Sequence, residues 1–151
     1  MIDMQTGEGL GILENALSHL QCIFVARRAR DTPEMLSWAQ YDILEILRLQ
    51  GPMTPSFLGG RLGVSRTGIS KTLRVLKDLK LVEQMPREGD RREQITVLTQ
   101  QGRNYLECAA TFRRDAAQCV MKALTLNEQV MFTDLCDKVS AALSGHNTTC
   151  S

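Results

Sequence analysis

A mainly α-helical, α+β fold with one β-hairpin set among helices is predicted for this chain on three observations. Leu, Ala, Met and Val recur where a strand-rich protein would show Tyr, Thr and Ile, and aromatic residues are only 5% of the sequence. Apolar residues return at helical spacing over most of the chain, from Leu13, Leu17, Leu20 and Phe24 to Val130, Met131, Leu135 and Val139. The period changes once, in the short β-like runs Leu81 to Arg87 and Gln94 to Thr99. At 151 residues the chain is the size of one domain, too short for a catalytic domain beside another module.

The elements follow in order. Gly7, Gly9 and Gly11 predict a frayed start, and a first helix runs from about residue 12 to Arg30, broken by Asp31-Thr32-Pro33. Ser37 caps a second helix that Gly51-Pro52 ends. Thr54-Pro55 opens a third, with proline at the first helical position where its missing N–H is harmless. Gly63 permits a left-handed turn, and Ser65 caps a fourth helix. The charged stretch Glu88 to Arg92 forms the hairpin tip. One helix of about 24 residues follows, with Tyr105, Ala109, Phe112, Ala116, Val120 and Ala123 on a single stripe. A last helix is capped by Thr125 or Asn127, and a polar tail follows Gly145.

Formal net charge is only +1, but its placement is uneven. Between Gly60 and Arg92 nine Lys or Arg stand against four Asp or Glu, so this stretch carries +5 and the remainder −4. On a helical wheel, Gly68, Ile69, Thr72, Leu73, Val75, Leu76 and Leu79 take one side of the fourth helix. The other side holds Arg66, Thr67, Ser70, Lys71, Arg74 and Lys77. A helix with one packing face and one cationic, hydrogen-bonding face, entered through a capped turn, suits the major groove of double-stranded DNA. Ser65, Arg66, Thr67, Ser70, Lys71 and Arg74 are therefore the candidate reading residues. Arg87, Arg91 and Arg92 on the hairpin are candidates for phosphate or minor-groove contact, and Asp90 is expected to orient one of these arginines by a charge-assisted hydrogen bond.

Leu58 to Leu76, Leu81-Val82-Glu83, Asp90-Arg91-Arg92 and Val97 to Gly102 resemble the MarR family of winged helix-turn-helix regulators, as does Trp38 to Leu44. The resemblance implies a single domain over 1–151, with a winged helix-turn-helix lobe at 38–102. Helices at 12–30 and 103–145 would form an intertwined dimerisation region. It also implies a homodimer on a pseudo-palindromic operator with half-sites about 34 Å apart, and release by a small aromatic or phenolic effector. Three departures stand out: Gly59-Gly60 in place of better helix formers, Lys80 in place of a common glycine, and Gln84 in place of a common arginine.

Other chemistries find little support. Five cysteines at irregular spacing, without a CxxC pair, favour neither a disulfide framework nor a zinc site. Cys22 is the candidate for redox switching, with Arg27 and Arg28 within two turns to favour a thiolate. The resemblance places a sensing cysteine two to three turns earlier, near Leu13. Cys108 and Cys119 are expected to pack as small hydrophobes, and Cys150 to lie exposed in the tail. No phosphate loop, metal-ligand cluster or Ser/His/Asp set can be assembled, so no cofactor, metal or enzymatic activity is expected, and a protein-interaction module or enzyme accessory is the remote alternative. No run approaches the roughly 20 apolar residues of a membrane span, and the start lacks a secretory signal, so the expected location is cytoplasmic.

Overall fold

The computed structural model describes residues 7–31 and 35–145, in the order α1 (Gly7–Arg30), α2 (Trp38–Gln50), α3 (Pro55–Leu62), α4 (Arg66–Asp78), β1 (Val82–Arg87), β2 (Asp90–Leu98), α5 (Gln100–Cys108), α6 (Ala110–Ala123) and α7 (Leu126–Gly145). The chain divides into two units, residues 1–32 and 33–151. Thr32 and Pro33, His146 and Cys150 lie outside the described residues.

α1 constitutes the described part of the first unit and starts at Gly7 rather than near residue 12. Leu10 and Ile12 extend the apolar pattern through the glycines, and Glu8 in the first turn suits the positive end of the helix dipole. α1 is also long and apolar enough, by length and composition, to cross a bilayer, which corrects the expectation that no run approaches that length. Asn15, Ser18, His19 and Gln21 interrupt the run to the eye, yet between Gly9 and Ala26 the one charged side chain is Glu14.

The second unit is built on a core that α2, α3, α4, the hairpin and α5 share: Leu44, Leu58, Ile69, Leu73, Leu76 and Leu106 are essentially inaccessible. α2 starts in a capping box, in which the Ser37 hydroxyl accepts from Gln40 N at 3.3 Å and Ser37 N donates to Gln40 Oε1 at 2.9 Å. Thr54 caps α3, and Gly63 ends it in the left-handed conformation at φ 64°. The loop between α2 and α3 contributes a short bridge that the sequence reading missed. Met53 pairs with Thr96 through two backbone hydrogen bonds of 3.2 and 2.8 Å, tying the hairpin to the helical core.

β1 and β2 pair antiparallel from Val82 opposite Leu98 to Pro86 opposite Gln94. The predicted long helix after the hairpin is two helices, broken at Ala109. No proline or glycine marks the break, and the apolar spacing continues across it, so periodicity alone carries no trace of the bend. Thr125 immediately precedes α7, and its hydroxyl and N–H donate to the Glu128 carboxylate, each at 2.8 Å. These two bonds, the backbone one foremost, hold the Glu128 carboxyl below its ordinary range.

Candidate nucleic-acid interface

The candidate reading surface is set by the turn between α3 and α4. Ser65 accepts from Gly68 N at 3.1 Å, fixing the first turn of α4, and Val64 N donates back to Gly59 O at 2.9 Å. Gly59 explains one departure from the family pattern. A Cβ there would stand 2.9 Å from the Val64 carbonyl oxygen, whereas one at Gly60 would meet nothing within 4 Å.

Once α4 is held, its two faces separate as their chemistry requires. Ile69, Leu73 and Leu76 are buried in the core, while Arg66, Thr67, Ser70, Lys71, Arg74 and Lys77 are all exposed. Val75 is corrected: expected on the packing face, it is 41% exposed at the edge of that stripe. Ser65 both caps the helix and remains exposed at its start.

The end of α4 is also specified in detail. Leu81 N bonds Leu76 O and Lys80 N bonds Lys77 O, each at 2.9 Å, with Leu76 and Leu81 both buried. This double closure, a Schellman motif, requires a left-handed residue after the cap. Lys80 takes that position at φ 58°. A lysine thus performs a turn for which glycine is the ordinary residue. Beyond it, Lys77 Nζ donates to Gln84 Oε1 at 2.9 Å, a side-chain bond joining α4 to the first wing strand.

The wing tip is narrower than predicted. Glu88 and Gly89 form the turn, and β2 already starts at Asp90. The register slips between Pro86, opposite Gln94, and Arg87, opposite Asp90. Residues 91–93 are therefore surplus on the second strand, a bulge that places Arg91 and Arg92 at the exposed rim. Asp90 holds this segment through a hydrogen bond to the backbone: Oδ1 accepts from Arg92 N at 2.9 Å. Asp90 thus shapes the chain that carries Arg92 rather than gripping a guanidinium through that bond. Arg87 has a partner that the sequence reading missed, with Nη1 2.5 Å from Glu93 Oε2. The hydrogen bond to Glu93, with the added field of Glu93 and Asp90, raises the Arg87 pKa further. The signal was present in the sequence, but six residues apart, and becomes visible only once the slipped register is known.

The remaining candidates disperse. The four described cysteines, Cys22, Cys108, Cys119 and Cys136, are free thiols and exposed, so Cys108 and Cys119 do not pack into a core within the single chain. A helical stripe identifies a face but not whether its own chain covers that face. Among the described residues no group of three or more His, Cys, Asp or Glu is gathered to hold a metal.

Comparison with known proteins agrees with this geometry. A family model described as the MarR family matches residues 36–93, from the start of α2 into the wing. The chain is similar to an uncharacterised HTH-type transcriptional regulator, YdgG, of Bacillus subtilis, at 32% identity over 80 residues. That match covers 52% of this chain and 53% of the relative, so it spans about half of each. Among solved structures, a mutant MarR from E. coli is 26% identical with a TM-score of 0.62, covering 83% of this chain and 94% of that one. BpsR of Bordetella bronchiseptica, whose DNA binding is regulated by 6-hydroxynicotinic acid, is 25% identical with a TM-score of 0.63, covering 85% and 98%. The capped α4, the slipped wing and these matches together give a winged-helix fold that resembles the MarR family of transcriptional regulators, with residues 36–93 matching the family model.

Proposed function

We propose that this protein binds a pseudo-palindromic DNA operator as a cytoplasmic homodimer and represses transcription until a small aromatic or phenolic effector releases it. The observation that carries this reading is α4, whose core face is buried while Arg66, Thr67, Ser70, Lys71 and Arg74 stand together in solvent. Arg and Ser or Thr so placed donate to base edges and phosphates of a major groove, with Arg91 and Arg92 following the backbone beyond it. Homodimerisation is supported by exposed apolar faces on α1, with Leu13, Leu17 and Phe24, and on α7, with Val130, Leu135 and Val139. Effector control is supported by the likeness to BpsR and its response to a hydroxylated aromatic acid. Linkage then requires effector and DNA to weaken one another's binding by the same factor.

The test is affinity for the DNA upstream of the protein's own coding sequence, measured as a function of salt. Arg74→Ala and Arg91→Ala each weaken binding, and each lost phosphate contact lowers the salt slope by about 1. Unchanged affinity and slope in both variants would refute the assignment.

A second reading keeps the same DNA site and replaces the effector with an oxidant. It is favoured by the exposure of Cys22 as a free thiol on the helix that ends in Arg27, Arg28 and Arg30. Cys22→Ser then abolishes any oxidant response; a response that survives the substitution excludes it.

A further inference from the structure

The joint between α5 and α6 lacks the usual means of fixing a helix direction. α6 starts at Ala110 after Ala109, which offers no side-chain cap, and Ala110 is its one buried residue. A helix end such as that of α5 leaves its last carbonyls short of intrahelical partners. One side chain reaches this end of α5. Arg113 Nη1 reaches back seven residues to Leu106 O at 3.4 Å and across to α2, with Tyr41 Oη at 3.4 Å and Glu45 Oε2 at 3.3 Å. Arg113 Nη2 lies 3.8 Å from Glu107 Oε1. Glu45 is held in turn, its other oxygen 2.5 Å from Arg48. Beside this cluster the Phe112 ring of α6 rests on Trp38 of α2, centroids 5.1 Å apart.

We propose that Arg113 is a positioning residue that fixes the angle at which α6 leaves the reading lobe, and so determines the half-site spacing the dimer accepts. This rests on the DNA-binding dimer proposed above. The planar guanidinium suits the task because its donors lie in a rigid fork, so acceptors on α2 and at the end of α5 constrain its orientation as well as its position. The side chain is only 23% exposed, so its bonds face limited competition from water. Lysine would supply the charge without the fork, and methionine the stem with neither.

Two measurements on the full-length protein test this. In the first, spin labels carried by encoded amino acids at positions 71 and 138 report the distance from α4 to α7, with labelled chain diluted in unlabelled chain. The distribution is narrow in wild type, broadens in Arg113→Met and is intermediate in Arg113→Lys; an unchanged width overturns the proposal. In the second, a duplex recovered by the wild type from a random-sequence pool is lengthened or shortened at its centre by one or two base pairs. Wild type loses about tenfold or more in affinity for each altered spacing, whereas Arg113→Met binds all spacings within about threefold of one another. An equal loss at every spacing would mark Arg113 as merely structural and refute the proposal. If the wild type recovers no duplex, the DNA reading itself fails, and the distance measurement still decides the clamp.

Discussion

Arg87 and Glu93 meet across the wing, guanidinium to carboxylate at 2.5 Å, so one of the three wing arginines already carries a counter-ion from its own chain. Both side chains are substantially exposed, and such a pair contributes little to stability. With Arg87 in the DNA-contacting role proposed above, its effect falls on binding. A phosphate approaching Arg87 has to displace or repel Glu93. Glu93→Gln therefore tightens DNA binding a few-fold and steepens the salt dependence by up to about 1 in slope, read by fluorescence anisotropy across a salt series. Arg87→Ala added to that variant cancels the gain; persistence of the gain would place the effect elsewhere.

Lys80 sits where the chain turns left-handed, and that conformation disfavours any side chain with a Cβ. Replacing it with glycine relieves the strain but loosens the unfolded chain, leaving a net gain of roughly 0.5–1 kcal/mol. Urea denaturation of Lys80→Gly measures the gain. Lys80→Ala serves as the control and stays close to wild type.

Adjacent glycines are expected to respond with opposite signs. Gly59→Ala drives a Cβ to 2.9 Å from the Val64 carbonyl and destabilises the lobe by about 1–3 kcal/mol through overpacking. Gly60→Ala meets open space in a helix interior and stabilises by roughly 0.5–1 kcal/mol. Thermal melting of the two variants side by side distinguishes close packing from a lobe that merely tolerates flexibility in α3.

Thr96 is fully buried where the wing meets Met53, and its hydroxyl has no hydrogen-bond partner among the described residues. A buried, unpaired polar atom costs about 1–3 kcal/mol, and valine matches the shape of threonine without it. Thr96→Val thus raises stability by about 1 kcal/mol in denaturant titration. A clear loss would show that the hydroxyl finds a partner.

Glu128, in the first turn of α7, gives that helix a pH dependence. Its carboxyl pKa is lowered by bonds from Thr125, so the contribution is fully present above the ordinary glutamate range and is lost as pH falls through the depressed value. Carboxyl NMR is the check, with Glu128 expected to titrate below the ordinary glutamate range. Glu128→Gln melts earlier than wild type at neutral pH, and the difference closes under acid.

How far the sequence carries depends on how local the determining contacts are. Ser37, Thr54, Ser65 and Thr99 each cap a helix within three residues, and all four sit in plain view of a reader who knows what a helix start requires. The cationic and buried faces of α4 followed from period alone, except for Val75 at the margin. The break at Ala109, the bridge from Met53 to Thr96 and the slipped wing register were not legible, because each is decided by residues far apart in the chain. The same holds for the partners: Glu93 answers Arg87, and Glu45 answers Arg113 across 68 residues. Acidic residues could be counted in advance but not matched. Exposure of the four cysteines was hidden for a related reason, since spacing says which residues share a face and not what lies against it.

α7 runs for twenty residues, and from Leu126 to Ser144 none of its side chains is buried, although Val130, Met131, Leu135 and Leu143 are apolar and open. A helix of this kind is completed by whatever covers it. With a second copy in that place, forming the arm becomes a bimolecular event, and its melting temperature follows protein concentration while that of the reading lobe does not. For a scarce protein, dilution then acts as a denaturant on one half of the molecule alone, and the abundance of the chain decides how much of it is competent to read.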